Sequence, residues 1–166
     1  VVRYGNVVGS RGSVLTYFQK LIEEGAEELP ITDPRMTRFW ITLTQGVNFV
    51  LSCLPMMRGG EIFVPKIPSM LMTEFAIALA PRLKHKVVGI RPGEKIHEVM
   101  ISSDDARTTV DIGDRYVIQP SFAWWSRPTG YKNAQKVPED FVYSSDQNNE
   151  WLGRENLDYY LKEQVS

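Results

Sequence analysis

The sequence predicts an α/β fold with a partly mixed sheet. Short runs of β-branched and aromatic residues alternate along the chain with amphipathic helical segments. Only two or three of these runs have the apolar character of strands in a parallel sheet. A doubly wound domain needs more strands, so we expect further strands upstream of this 166-residue chain.

The chain begins with a predicted strand, a loop and a helix. Residues 1–4 are β-branched and aromatic, as in a buried strand, and residues 5–12 contain three glycines that end it. Ser13 is the predicted N-cap of an amphipathic helix, and Gly25 ends that helix.

A turn and a second helix are predicted next. Residues 29–32 are extended, and residues 33–38 resemble a surface turn because a proline follows Asp33. Thr42 and Gln45 have the spacing of a capping box. The helix that they begin has an apolar face formed by Leu43, Val47, Val50, Leu51 and Leu54.

The rest of the chain continues the alternation and ends irregularly. The predicted segments are strands at 61–64 and 86–90, helices at 73–80 and 94–100, a hairpin of 108–112 with 115–119, an irregular surface wrap at 120–149, and a helix from about residue 155. We expect two parts: residues 1–105, with the last sheet strands interleaved with a substrate-binding domain, and residues 106–166, with the hairpin, wrap and terminal helix.

Composition excludes several classes of function. The formal net charge of −1 gives no field that would attract nucleic acid or a membrane surface. One cysteine and two histidines cannot form a disulfide framework or a structural zinc site, and no apolar run is long enough to span a bilayer. These features favour the cytoplasm, and the first residue, Val1, suggests a chain cut from something longer.

The glycine cluster of the first loop has two open interpretations. The spacing of Gly5, Gly9 and Gly12 does not match the dinucleotide fingerprint G-x-G-x-x-G. The loop is therefore either a plain tight turn or a secondary phosphate-facing loop. Ser10 and Arg11, with Asn6 before them, supply the hydroxyl, guanidinium and amide donors that the second interpretation requires.

A second candidate site is the charged turn at residues 91–95. Arg91 and Lys95 could hold a diphosphate and Glu94 could accept from sugar hydroxyls, but a capped helix with solvated charges explains the same residues. His97 is either an acid/base group or a packing partner. Two apolar pairs are interpreted as buried contacts: Trp124 with Trp125, and Met70 with Met72.

The motifs of catalysis are mostly absent from the sequence. It contains no nucleophile elbow, Walker A motif or metal-spaced group of carboxylates and histidines. No tyrosine is followed four residues later by a lysine, the pair that accepts a hydroxyl proton beside a nicotinamide. We therefore expect neither catalytic residues nor a metal site in this chain.

Several segments together resemble one known family. They are RYGNVVGSRGSV at 3–14, PITD at 30–33, MTRFWITL at 36–43, GGEIFVPKIPSM at 59–70, GIRPGEKIHE at 89–98, FVYSS at 141–145 and NEWL at 149–152. In this order they resemble the C-terminal half of the inverting UDP-N-acetylglucosamine 4,6-dehydratases. These are extended short-chain dehydrogenase/reductases of the pseudaminic acid pathway, with a Rossmann-type fold. The resemblance is weakest over residues 121–136.

The resemblance implies a two-part, homo-oligomeric enzyme that uses tightly held NADP. Such enzymes oxidise the C4 hydroxyl of UDP-GlcNAc, eliminate water across C5 and C6, and return the hydride to C6 with inversion at C5. It also implies substrate-binding roles for Asn6, Val14, Thr32, Arg91 and Glu94. The implied cofactor-binding residues are Val7, Val8, Gly9, Ser10 and Arg11.

The family's catalytic groups belong to its N-terminal half, which is the partner expected for this chain. The 166 residues alone are therefore expected to be inactive. Three other functions stay open: a nucleotide-sugar epimerase, a retaining 4,6-dehydratase, and a module that binds a UDP-sugar without turning it over.

Overall fold

The α/β fold class is confirmed by a computed structural model, which describes residues 1–121 and 131–162. Helices and strands alternate along most of this range. The helices are α1 (Val14–Glu23), α2 (Leu43–Cys53), α3 (Met72–Leu79), α4 (Ser103–Ala106) and α5 (Leu157–Lys162). The strands are β1 (Asn6–Val7), β2 (Glu28–Ile31), β3 (Thr37–Ile41), β4 (Ile62–Pro65), β5 (Ser69–Leu71), β6 (Lys84–Val87), β7 (Val99–Ile101), β8 (Thr109–Asp111), β9 (Arg115–Ile118), β10 (Gln135–Lys136) and β11 (Tyr143–Ser144).

The described strands form small sheets with both parallel and antiparallel pairs. β1 runs parallel to β3, with Asn6 opposite Trp40, and β5 joins β3 on its other side in antiparallel fashion. β2 and β6 form a separate parallel pair. β4, β8, β9 and β10 make an antiparallel sheet, and β7 pairs with β11. The parallel pairs β1–β3 and β2–β6 place the carboxyl ends of β1 and β2 beside one cleft.

One hydrophobic core supports that cleft from below. Phe75 of α3 is fully buried, with its ring 6.0 Å from Phe18 of α1 and 4.7 Å from Trp40 of β3. Leu29 of β2 and Leu157 of α5 are buried in the same cluster. Because these side chains come from five elements, the positions of β2, β3 and α1 are tied together.

The local signals read from the sequence at three element ends are confirmed. The Ser13 hydroxyl accepts a hydrogen bond from the Thr16 amide and caps α1. Thr42 and Gln45 make both bonds of the capping box of α2. The hairpin of β8 and β9 turns at residues 113–114, where Gly113 has a φ of 107°. Both caps and the hairpin turn are formed by residues a few positions apart. They therefore form locally, without contacts from distant parts of the chain.

The strand predicted at residues 1–4 is wrong in its position. The regular strand begins at Asn6, and the preceding residues make only an isolated bridge in which the Arg3 amide donates to the Phe63 carbonyl at 2.9 Å. Gly5 lies so close to β3 that a side chain there would collide with Cβ of Phe39. This close approach fixes where β1 meets β3.

The helix predicted at residues 94–100 is also wrong. The segment is irregular up to β7, because backbone groups that a helix would use internally bond instead to β3 and to Ser145. The strand predicted at 86–90 runs instead over Lys84–Val87, as β6, and Gly89, two residues beyond its end, has a φ of 85°.

Two predicted surface segments contain buried residues. The turn at residue 33 is real, but Thr37 and Arg38 are buried at the start of β3. Within the predicted wrap, Tyr143 and Ser145 are buried in the interior. Met70 and Met72 are buried as predicted, whereas Trp124 and Trp125 lie outside the described residues.

Candidate functional site

A cleft of about 380 Å³ opens at the carboxyl ends of β1 and β2. This is the edge of an α/β sheet at which ligands usually bind, and the volume falls in the range of small-molecule sites. Nine of the ten positions to which the family resemblance gives binding roles line it: Asn6, Val7, Val8, Gly9, Ser10, Arg11, Val14, Thr32 and Glu94. The structure thus brings residues of three separate segments to one surface.

The loop between β1 and α1 forms the polar wall. The Ser10 amide donates to the Val7 carbonyl at 3.3 Å, and the Ser13 amide donates to the Ser10 carbonyl at 3.0 Å. These two tight turns need left-handed backbone, which Gly9 supplies with a φ of 72° and Gly12 with 75°. The loop therefore reverses within a few residues and brings the amino end of α1 to the cleft.

The electrostatics of this wall favour an anion. The first backbone amides of α1 are directed toward the cleft end of the helix, and the first turn carries no acidic side chain. The exposed side chain of Arg11 adds a cation to the same loop. A phosphate group would find amide, hydroxyl and guanidinium donors here, so the geometry fits the phosphate-facing interpretation.

The floor of the cleft is apolar. Phe18 comes from α1, Ile31 from β2, Trp40 from β3 and Met72 from α3, and all four are buried core residues that also border the cavity. Met36, which precedes β3, completes this surface. A ligand with a charged end and an apolar or ring-shaped body therefore matches the cleft better than a small inorganic ion.

Glu94 also lines the cleft. Residues 91–94 make a tight turn in which the Glu94 amide donates to the Arg91 carbonyl at 3.0 Å. Pro92 and Gly93, with a φ of 82° at the glycine, occupy the two central positions that a type II turn prefers. The Arg91 amide donates back to Glu94 Oε2 at 3.2 Å. The Arg91 side chain is exposed and does not line the cleft.

Arg38 is a cleft residue that sequence reasoning missed. Its residue surface is only 9% exposed, yet it borders the cavity. Its guanidinium donates to the carbonyls of Thr37, Ile96 and Lys95 at 2.7, 2.9 and 2.8 Å. The sequence signal that could have revealed it is the run TRFWI at residues 37–41. Its β-branched and aromatic residues are typical of a buried strand, and the run contains the arginine.

Two titratable side chains near the cleft are engaged by neighbours. His97 Nδ1 lies 2.8 Å from the Thr37 hydroxyl, and His97 does not line the cleft, so its geometry is that of a packing partner. Asp33 follows the cleft residue Thr32. Hydrogen bonds from the side chain and backbone of Arg35 lower the pKa of Asp33 to about 2.

An apolar groove of about 160 Å³ adjoins the cleft. Val7 lines both cavities, and the remainder of the groove is formed by Tyr4 and by residues of α2. The predicted apolar face of α2 is largely uncovered by the described chain, with Leu43 67% and Leu51 56% exposed. We call this surface, formed by Tyr4, Leu43, Val47, Leu51 and Leu54, the α2 face.

Two other kinds of site are absent from the described ranges. Across residues 1–121 and 131–162, no group of three or more histidine, cysteine, aspartate or glutamate side chains is placed to hold a metal ion. Within the same ranges, no helix has the length and apolar character needed to cross a membrane.

Comparison with known proteins identifies the class and then the family. A solved X-ray structure of Pen from Bacillus thuringiensis superposes with a TM-score of 0.83 at 30% sequence identity, covering 99% of this chain and 50% of that one. The fold is that of the C-terminal part of an extended short-chain dehydrogenase/reductase. A family model described as "Polysaccharide biosynthesis protein" matches residues 1–120, and the chain belongs to that family.

Individual relatives confirm the resemblance found in the sequence. The chain is 56% identical over 163 residues to a UDP-N-acetylglucosamine 4,6-dehydratase (inverting) from Campylobacter jejuni, a match that covers 95% of this chain and 49% of the relative. It is 43% identical over 122 residues to a UDP-glucose 4-epimerase from Rickettsia canadensis, covering 71% of this chain and 36% of the relative. The chain thus spans about half the length of the curated dehydratases that it matches.

Proposed function

We propose that this chain is the substrate-binding half of an NADP-dependent UDP-GlcNAc 4,6-dehydratase that inverts C5. The product would be UDP-2-acetamido-2,6-dideoxy-β-L-arabino-hex-4-ulose, a precursor of pseudaminic acid and surface glycans. The observation that carries the proposal is the cleft, whose lining combines an anion-favouring loop, the carboxylate of Glu94 and an apolar floor. The higher identity to the dehydratase than to the epimerase supports the choice of reaction.

The proposed binding roles follow from side-chain chemistry. Asn6, Val14 and Thr32 line the part of the cleft nearest the ends of β1 and β2, where they would contact the sugar nucleotide. Glu94 would accept hydrogen bonds from sugar or ribose hydroxyls, since a carboxylate is an acceptor at neutral pH. Arg91, at the exposed rim of the same turn, would reach a phosphate oxygen of the diphosphate.

The loop from Val7 to Arg11 is the proposed contact with NADP. A nicotinamide cofactor, when bound, supplies the hydride acceptor and donor of the reaction. The chain's own contribution is a close backbone approach at Gly9, hydrogen-bond donors at Ser10 and a positive charge at Arg11. These donor types fit a phosphate-bearing cofactor, and their role here is to hold and orient it.

The α2 face is the proposed contact with the other half of the enzyme. Burial of apolar side chains such as Leu43 and Leu51 lowers the free energy of the protein in water. Their exposure therefore marks a surface suited to a protein neighbour. Val7 lines both the cleft and the apolar groove beside the α2 face. A polypeptide that covers α2 would therefore also border the cleft. It could supply there the tyrosine and lysine pair that the reaction needs to accept the hydroxyl proton.

The reaction is tested with the complete enzyme by following the product of UDP-GlcNAc in NMR. The proposal expects a C6 methyl group, a C4 ketone and inverted configuration at C5. A retained C5 would identify a retaining dehydratase, and an intact C6 hydroxymethyl with changed C4 would identify an epimerase. Tight binding without turnover would identify a binding module and overturn the enzymatic proposal.

A further inference from the structure

The segment that carries Glu94 has no regular secondary structure, although the sequence favours a helix there. Its course must therefore be set by contacts with other parts of the chain. Only the turn bond between Glu94 and Arg91 and the bond from the Arg91 amide to Glu94 Oε2 are local. The remaining hydrogen bonds recorded for residues 95–98 go to β3 or to Ser145.

Arg38 makes the largest set of these contacts. Its Nη1 donates to the Ile96 carbonyl at 2.9 Å and its Nη2 donates to the Lys95 carbonyl at 2.8 Å. Its Nε lies 3.4 Å from Glu98 Oε1. The planar guanidinium thus contacts three residues of the segment at once, which the single ammonium group of a lysine cannot do.

The neighbours of Arg38 hold the segment at its far end. The Thr37 amide donates to the Ile96 carbonyl at 3.1 Å. The Glu98 amide donates to the Ser145 hydroxyl at 2.9 Å, and the Ser145 amide donates to the Glu98 carbonyl at 2.8 Å. Thr37 and Ser145 are themselves joined through their hydroxyl groups at 2.6 Å. Arg38 is the one member of this group that also borders the cleft.

We infer that Arg38 is a positioning residue for the binding site. By fixing residues 95–98 against β3, it holds the adjoining turn so that Glu94 faces the cleft. Three of its four guanidinium contacts are with this segment and the fourth is with the Thr37 carbonyl, so its action on the ligand runs through Glu94. This inference rests on the proposed function, in which Glu94 binds a sugar or ribose hydroxyl.

The first experiment measures coupling between the two residues in the complete enzyme. Affinity for UDP-GlcNAc is determined by calorimetry for Arg38→Met, Glu94→Gln and the double variant. We expect each single change to weaken binding about 10-fold, and the double change to weaken it by little more than about 10-fold, because both remove the same contact. Arg38→Lys should recover part of the loss. An additive loss of about 100-fold would overturn the inference and indicate a direct contact with ligand.

The second experiment does not depend on ligand. Hydrogen exchange at the Glu94 and Glu98 amides should quicken about 10-fold in Arg38→Met, while amides of α1 keep their protection. Equal acceleration throughout the chain would mean a general stabilising role and overturn the inference. Arg107→Met is the matched control, because Arg107 is an exposed arginine paired with Asp104 at 3.5 Å, and it should leave both measurements unchanged.

A milder variant covers the case in which Arg38→Met fails to fold. Glu98→Gln keeps a hydrogen-bond acceptor but removes the charge facing Arg38, so it should quicken exchange at the Glu94 amide and weaken UDP-GlcNAc binding about 3-fold. No change in either measurement would overturn the inference. If the wild-type enzyme does not bind UDP-GlcNAc, the proposed function fails, and the exchange experiment still decides whether Arg38 holds the segment.

Discussion

At the scale of single residues, Asn6 shows how the structure narrows a question that the sequence left open. An asparagine beside a glycine-rich loop could support left-handed backbone or contact a ligand. Asn6 is the first residue of the extended strand β1. Its backbone is not left-handed, because among the described non-glycine residues only Asn133 has a positive φ. Since Asn6 also lines the cleft, its amide is available for a ligand.

We therefore predict that Asn6→Asp is more damaging than Asn6→Ala. Loss of a neutral hydrogen bond in Asn6→Ala should weaken UDP-GlcNAc binding by up to about 10-fold. Asn6→Asp removes the donor and places a negative charge near the diphosphate, so the loss should be about 10-fold greater again. Calorimetry and the melting temperature of both variants provide the check. Wild-type affinity in Asn6→Asp would remove Asn6 from the site.

Arg91 provides a prediction about binding as opposed to chemistry. Its exposed position at the rim suits a phosphate contact that exists in both the ground state and the transition state. Arg91→Ala in the complete enzyme should raise KM about 10-fold with kcat nearly unchanged. Arg107→Ala, at an exposed arginine outside the cleft lining, is the control. An unchanged KM with a collapsed kcat would instead place Arg91 in the chemical step.

Asp33 provides a prediction about pH. Hydrogen bonds from Arg35 lower the pKa of Asp33 to about 2, from an ordinary value of 3.8. A lowered pKa in the folded state stabilises the fold above the ordinary value, and that contribution is lost as pH falls from about 4 through about 2. An NMR titration of the Asp33 carboxyl should show this low value, and Arg35→Met should return it toward 3.8. An unchanged titration in Arg35→Met would contradict the assignment.

At the scale of elements, the start of α2 depends on two side chains close in sequence. Thr42 is buried and accepts from the Gln45 amide at 3.1 Å, while Gln45 accepts from the Thr42 amide at 3.0 Å. We predict that Thr42→Ala lowers the free energy of unfolding by about 1 kcal/mol, whereas Thr42→Ser largely keeps it. Denaturant unfolding measures both. Thr44→Ala, at an exposed position of the same helix, should change it by less than about 0.5 kcal/mol, and an equal loss there would refute the capping explanation.

The elements also show why sequence reasoning succeeded in some places and failed in others. The caps of α1 and α2 and the hairpin turn depend on residues within three or four positions of one another, so their signals are readable without a structure. The segment at 94–98 is shaped by Arg38 and Ser145, which lie far away in sequence. Local propensity favoured a helix there, and the distant contacts prevailed.

The candidate site divides in the same way. Donor types in the loop at 6–11 and at Glu94 could be selected from charge and glycine spacing, and the resemblance added Val14 and Thr32. Arg38, Trp40 and Met72 reach the cleft only because β3 and α3 pack beneath it, which single-sequence patterns do not reveal.

At the scale of the whole molecule, the cleft and the α2 face form one continuous surface. They meet at Val7, the last residue of β1. β1 is an edge strand of its sheet in the described chain, with β3 on one side. An edge strand, an uncovered apolar helix and an open cleft that share Val7 fit the proposed function, in which a second half completes the fold and the site.

The last prediction compares one substitution in two settings. In this chain alone, Leu51→Lys should leave the melting temperature nearly unchanged, because Leu51 is exposed. In the complete enzyme the same change would bury a charge against the other half and should lower the free energy of unfolding by about 3 kcal/mol or more. Ile22→Lys, on the outer side of α1, is the control and should behave alike in both settings. Equal, small effects of Leu51→Lys in the chain and in the complete enzyme would show that the α2 face stays uncovered and would overturn its proposed contact with the other half.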